Sequence, residues 1–195
     1  MRFLGFDAET FYCSKTGYTL SKMTAEEYIR DSRFELIGFS MGWAGTRPQW
    51  YTGDLEYLRN VAQAIDWSGV FVVGHNLSLF DSLILTEVLG VRPAAYGCTL
   101  QLARCIHGAK TPDGKNISNS LDAVARMYQR EVQQVLGRPL YKGNEVYNAN
   151  GKRRADFAPD ELAAYGRYCC DATELASALW VVLSSKFPKS ELFTA

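Results

Sequence analysis

"RFLGFDAE" (residues 2–9) is short and apolar and ends in two carboxylates. It reads as a strand that starts inside a core and emerges from it. Asp7 and Glu9 are two positions apart, and on a strand residues i and i+2 share a face. Both carboxylates therefore leave the core side by side. Like charges that close repel unless a cation sits between them. Hard divalent cations such as Mg²⁺ take oxygen ligands of this kind. A strand that has simply reached water would carry the same two acids with no cation at all.

The flanking sequence extends this strand into a layered fold. "FELIGFSMGW" (34–43) and "PQWYTG" (48–53) are further strand candidates, so the first part is expected to form a meander. "DLEYLRNVAQAI" (54–65) spaces Leu55, Leu58, Ala62 and Ile65 as one helical face, with Asp54 as its N-cap. "GVFVVGHN" (69–76) is a β-branched core strand stopped by Gly74. Helices are expected over 78–90, closed by Gly90, over 99–108, over 120–132, and from Pro159 to about Ser185. Two stretches, 108–119 and 137–159, look irregular, and the second is long and basic enough to suggest a functional or mobile loop. Strands followed by helices around them predict an α/β fold, a mixed sheet flanked by helices, in a single domain over 1–195.

Composition narrows the function classes. Lys+Arg and Asp+Glu both number 21 in 195 residues, so bulk charge does not indicate a protein that coats nucleic acid. Five cysteines, an odd number without CxxC spacing, argue for reduced thiols rather than a disulfide framework, as in a cytoplasmic protein. No apolar run approaches the roughly 20 residues that span a bilayer, so no membrane partner is expected.

"GHNLSLFD" (74–81) adds a second chemical element. A core strand ends at Gly74, the polar pair His75 and Asn76 follows, and Asp81 opens an otherwise apolar helix. Alone, Asp81 is what a helix dipole favours in a first turn, and His75 is a loop histidine packed on a sheet. The chain has only two histidines, which excludes a multi-histidine metal site. Carboxylates remain as ligands, with Mg²⁺ or Mn²⁺ as the fitting ions. Carboxylates from a strand end and a nearby helix suit a pair of such cations, roughly 3.5–4 Å apart, of the kind that clamps the attacking and leaving oxygens at phosphorus.

"DAET", "GHNLSLFD" and the helix "YGRYCCDATEL" resemble, in order, the three motifs of the DEDD (DnaQ-like) 3′–5′ exonucleases, which have a ribonuclease-H-like fold. The text from "FDAETFYCSKTGYTL" to "RFELIGFSMGW" is similar to the proofreading exonuclease domain of bacteriophage family A DNA polymerases, and so are "CTLQLARCIHG", "NSLDAVARMY" and "YKGNEVYNANGKRRADFAP". The resemblance spans nearly the whole chain. It implies two-metal hydrolysis of single-stranded DNA 3′ ends, with Mg²⁺ or Mn²⁺, and a polymerase domain in the same or a partner chain, in the cytoplasm of an infected bacterium. Nothing resembling the polymerase part follows "FPKSELFTA", so an isolated exonuclease domain is expected. Asp7, Glu9 and Asp81 match metal-binding acids. Thr10, Asn76 and Phe80 match residues near the 3′ nucleotide and the catalytic Asp, with His75 beside them. Tyr168 matches the tyrosine that orients the attacking water. The basic stretch with Lys142 and Arg153 is a candidate strand contact.

The third motif departs from the family. Its acid is expected four residues after Tyr168, at position 172, where this chain has Ala172. Asp171 is the fallback, at the cost of a one-residue slip. Helix phase gives an independent reading: 172 falls roughly 10° from the centre of the apolar stripe and 171 roughly 110° away. The expectation is a missing fourth carboxylate at 172, which would cripple hydrolysis and could spare substrate binding.

Overall fold

The structure is a computed structural model that describes residues 2–139 and 148–188. The apolar opening forms β1 (Arg2–Thr10). A short helix, α1 (Ala25–Arg30), precedes β2 (Leu36–Trp43) and β3 (Gln49–Thr52). Then come α2 (Leu55–Gln63), β4 (Val70–Gly74), α3 (Asp81–Leu83, continued by a π turn over Ile84–Val88) and β5 (Ala95–Cys98). The helices α4 (Thr99–His107), α5 (Leu121–Met127), α6 (Gln129–Leu136) and α7 (Pro159–Lys186) complete the described chain.

The five strands lie in the order β3-β2-β1-β4-β5. The meander pairs antiparallel, and β4 and β5 join parallel, so the sheet is mixed. The parallel step follows from the crossover through α2, whose N-cap is Asp54, with its carboxylate accepting from Tyr57 N at 2.8 Å. Even-numbered β1 residues Leu4 and Phe6 join Phe39 and Met41 of β2, Leu58 and Ala62 of α2, and Ile84 and Leu85 in one core. The odd-numbered Gly5, Asp7 and Glu9 point to the other face, which α7 covers. Gly5 permits that approach: a Cβ there would overlap the side chains of Ser177 and Thr173. The later part of α7 packs on α4, α5 and α6 through Leu175, Leu179 and Leu183 against Leu102, Val124 and Val132.

Three local readings differ from expectation. The helix expected from residue 78 begins at Asp81, because Asn76 adopts the left-handed region (φ 63) and its carbonyl accepts from the Leu79 and Phe80 amides in a turn. The helix expected over 120–132 breaks at Tyr128 (φ −111, ψ 29) and resumes to Leu136. Tyr128 is held there by a 2.7 Å hydrogen bond between its hydroxyl and His107 Nε2. Neither α1 nor β5 is foreseen by the apolar pattern. The start of α1 was nonetheless marked by a capping box, Thr24 with Glu27.

Candidate metal centre

Register places the site. Gly5 of β1 pairs with Val73 of the parallel β4, so Asp7 lies level with His75, just beyond the carboxyl end of β4. Crevices at such ends are where open α/β sheets bind ligands. Against this strand end runs α7, antiparallel to β1. Four helical residues rise about 6 Å and two strand residues about 6.6 Å, so an i, i+4 row on the helix tracks an i, i+2 row on the strand. The row Tyr165, Cys169, Thr173 accordingly meets Glu9, Asp7 and Gly5 in turn.

Each of the three helix residues makes a polar contact here, and Thr173 also sets its methyl against Gly5. Tyr165 donates its hydroxyl to Glu9 Oε2 at 2.6 Å. Cys169 Sγ lies 3.3 Å from Asp7 Oδ2 and 3.4 Å from Asp7 O. Ser40, directly opposite Asp7 on β2, donates to the Cys169 carbonyl at 2.9 Å and also bonds the Thr173 hydroxyl. From the other side, Asp81 accepts from the Ala8 amide at 3.2 Å, between the two strand acids. Asp81 is only 4% exposed.

Three carboxylates thus converge, and among the described residues no Lys or Arg neutralises them. Burial pushes the carboxyls of Asp7, Glu9 and Asp81 up, and the Asp7 charge adds to the rise at the other two. Burial, then Asp7, also pushes the Cys169 thiol well up. Uncompensated buried charge is costly. Such a cluster either takes up protons or binds cations.

The other sequence-derived residues fall in distinct places. Tyr168 stacks on Tyr165, ring centroids 6.3 Å apart, and its phenol is raised by burial and then by Glu9. Tyr165, not Tyr168, hydrogen-bonds Glu9. Ala172 is buried, on the site side of α7: it lies about 20° round the axis from Tyr165, whereas Asp171 lies about 120° away. Asp171 instead approaches Arg138 (3.8 Å), which also pairs with Glu174. Thr10 is buried and bonds Tyr28 OH at 3.0 Å. Phe80 is buried edge-on to Tyr28.

His75 bonds Thr99 Oγ1 through Nδ1 (2.9 Å), and burial lowers its pKa to about 4, so it is neutral at pH 7. His75 and Asn76 line a recess of about 460 Å³ with Leu100, Arg104, Ile117 and Asn119. Arg153 pairs with Glu35 (2.8 Å) and stacks over Phe11, so its guanidinium ties the 148–157 segment to the end of β1. Lys142 lies outside the described residues.

Sequence reasoning placed Tyr165 and Cys169 on an apolar stripe and missed their contacts with the acids. The signal was available: polar-tipped residues four apart on a helix, opposite acids two apart on a strand. No protein family's profile matches the chain, and no curated protein matches it.

Proposed function

We propose that this chain is a metal-dependent 3′–5′ exonuclease domain of ribonuclease-H-like (DnaQ-like) fold, hydrolysing the 3′ ends of single-stranded DNA in proofreading beside a polymerase domain. One observation carries the reading: Asp7, Glu9 and Asp81 converge at a strand end with no counter-cation among the described residues. Their oxygen donors fit Mg²⁺ or Mn²⁺. Asp7, Glu9 and Asp81 would hold such cations, which when bound would supply a nucleophile from water and stabilise the leaving 3′ oxygen.

The chain's own residues hold and shape this centre. Asp81 is fixed by the Ala8 amide, and Glu9 by the Tyr165 hydroxyl. Tyr168, stacked on Tyr165, stands beside the acids to orient water. The recess at His75 and Asn76 offers apolar walls and amides to a base and its backbone, without sequence preference.

Position 172 carries a methyl where the motif calls for a fourth acid. That favours a second reading, an inactive domain that binds single strands or braces a polymerase. A 3′-labelled oligonucleotide with Mg²⁺ or Mn²⁺ separates the two. Ala172→Asp is expected to cleave on the order of 100-fold faster than this chain, the scale of one removed electrostatic stabiliser. Binding without cleavage by both proteins would establish the second reading. Equal, full activity in both would show that 172 is no ligand position. Neither binding nor cleavage would end the assignment.

A further inference from the structure

The acids at the end of β1 have a sulfur neighbour that a hard-cation site does not require. Donor atoms of Asp7, Glu9 and Cys169 all lie within 4.8 Å of one another. The Asp7 Oδ2–Cys169 Sγ separation is 3.3 Å. A tetrahedral ion with metal–oxygen bonds of about 2.0–2.2 Å and a metal–sulfur bond of about 2.3 Å spaces an oxygen and a sulfur donor by roughly 3.5–3.7 Å. This oxygen–sulfur pair stands within about 0.2–0.4 Å of that ligand spacing. Independently, Asp81 is 4% exposed and has its carboxylate on the amide between the two strand acids. No described cation balances it, and the charges of Asp7 and Glu9 act on it, so positive charge is favoured beside the cluster.

We propose that Cys169 makes this centre a site for thiophilic divalent cations, Zn²⁺ or Cd²⁺, bound by the Cys169 thiolate with Asp7 and Glu9, in competition with Mg²⁺ or Mn²⁺. The proposal deepens the function above and rests on its placing a cation between Asp7 and Glu9. Softness decides the competition: thiolate ligands select Zn²⁺-like ions, and Mg²⁺ gains little from sulfur. Coordination replaces the S–H bond by a metal–sulfur bond. The thiol proton, together with any proton that the Asp7 or Glu9 carboxyl holds in the metal-free site, leaves to solvent as the ion binds. A Zn²⁺-loaded centre would be inhibited, because the ion would occupy Asp7 and Glu9 and keep Mg²⁺ or Mn²⁺ from them.

The test is a Cd²⁺ titration of the whole chain, read by the ultraviolet sulfur-to-cadmium charge-transfer band and by proton release. In parallel, Mn²⁺ binding is followed by electron paramagnetic resonance. The band is expected to saturate at one ion per chain. It should be lost in Cys169→Ser and weakened roughly 10-fold or more in Asp7→Asn, which keeps the thiol. A band unchanged in Cys169→Ser would place the sulfur elsewhere and overturn the inference. Mn²⁺ binding that depends on Asp7, without any band, would also overturn it while leaving the proposed function standing. If neither ion binds, both fall.

Discussion

The two halves of α7 do different work with one continuous helix. Residues 165–173 present Tyr165, Cys169 and Thr173 to β1 and β2, and each of the three makes a polar contact there, with Tyr165 also packed in a cluster with Ile37. Residues 175–183 present Leu175, Ala178, Leu179, Val182 and Leu183 to α4, α5 and α6 in an ordinary apolar core. Backbone geometry is the same in both halves. The difference lies in what faces them: a strand end with two acids in one case, and helices with apolar sides in the other. The second half anchors the helix, and the first half can then hold uncompensated acids that a free segment would leave to water.

Damage to the anchor is expected to have the largest effect on stability. Leu179 is fully buried. Leu179→Ala removes its transfer energy and leaves a cavity, so unfolding in urea should show a loss of about 2–5 kcal/mol. In the fraction that remains folded, cation affinity should be unchanged. A large fall in affinity at low denaturant would mean that the two halves are not separable.

A substitution in the first half has two opposing terms. Gly166 lies against Trp50, and a Cβ there would overlap the indole. Gly→Ala inside a helix normally gains about 1 kcal/mol. Overpacking costs typically about 1–3 kcal/mol, and Trp50 is also wedged against Gly38 of β2, so it has little room to move. Gly166→Ala should therefore destabilise by up to about 2 kcal/mol, the difference of those terms. Unlike Leu179→Ala, it should also weaken cation binding, because it shifts the turn that carries Tyr165 and Cys169. Net stabilisation would show that Trp50 yields freely.

The same contrast explains what could be read from the sequence. The apolar runs of β1, β2 and β4 and the long α7 carry a strong period, and the structure has them at nearly the expected bounds. The mixed α/β sheet followed from their order. Asp7 and Glu9 were legible as one face because a strand repeats every two residues, and Asp81 fell near them as the order of motifs implied. What was not legible depends on tertiary partners. β5 is only four residues with no clear alternation, and it exists because β4 offers an edge. The break at Tyr128 depends on His107, 21 residues away. The roles of Tyr165 and Cys169 required knowing which strand α7 crosses and in which direction. Arg153 was legible only as part of a basic stretch, a candidate strand contact, and its pairing with Glu35 lies 118 residues away in sequence.

The acids themselves provide a test with a defined sign. In the metal-free protein the Asp7 carboxyl titrates above its unfolded value, chiefly because of burial. A raised folded pKa contributes stability below the unfolded pKa, and that contribution is lost as pH rises through the folded pKa. Asp7→Asn abolishes the charge, so it should stabilise the metal-free chain at pH 8 by about 1.4–2.7 kcal/mol, equivalent to one or two pKa units. The gain should shrink to well under about 1 kcal/mol near pH 4, where the folded Asp7 carboxyl is protonated and the unfolded one about half so. Thermal unfolding in a chelator at the two pH values measures it. A variant less stable than the parent at pH 8 would mean that the Asp7 charge is already compensated.

The smallest expected effect concerns the acid one step away from the site. Asp171 is part-buried beside Arg138 at 3.8 Å, and Arg138 makes its shorter contact with Glu174. Burial pushes the Asp171 carboxyl up more than Arg138 draws it down. The ion pair is therefore worth little, and Asp171→Asn should change stability by less than about 1 kcal/mol. It lies about 120° round the helix from Tyr165, so Mn²⁺ affinity should stay the same within error. Ala172→Asp, by contrast, should raise that affinity, because position 172 shares the site face with Tyr165 and Cys169. A marked fall in Mn²⁺ binding in Asp171→Asn would show that the helix turns to bring Asp171 into the centre. The fourth ligand would then be present in this chain one residue early, rather than absent.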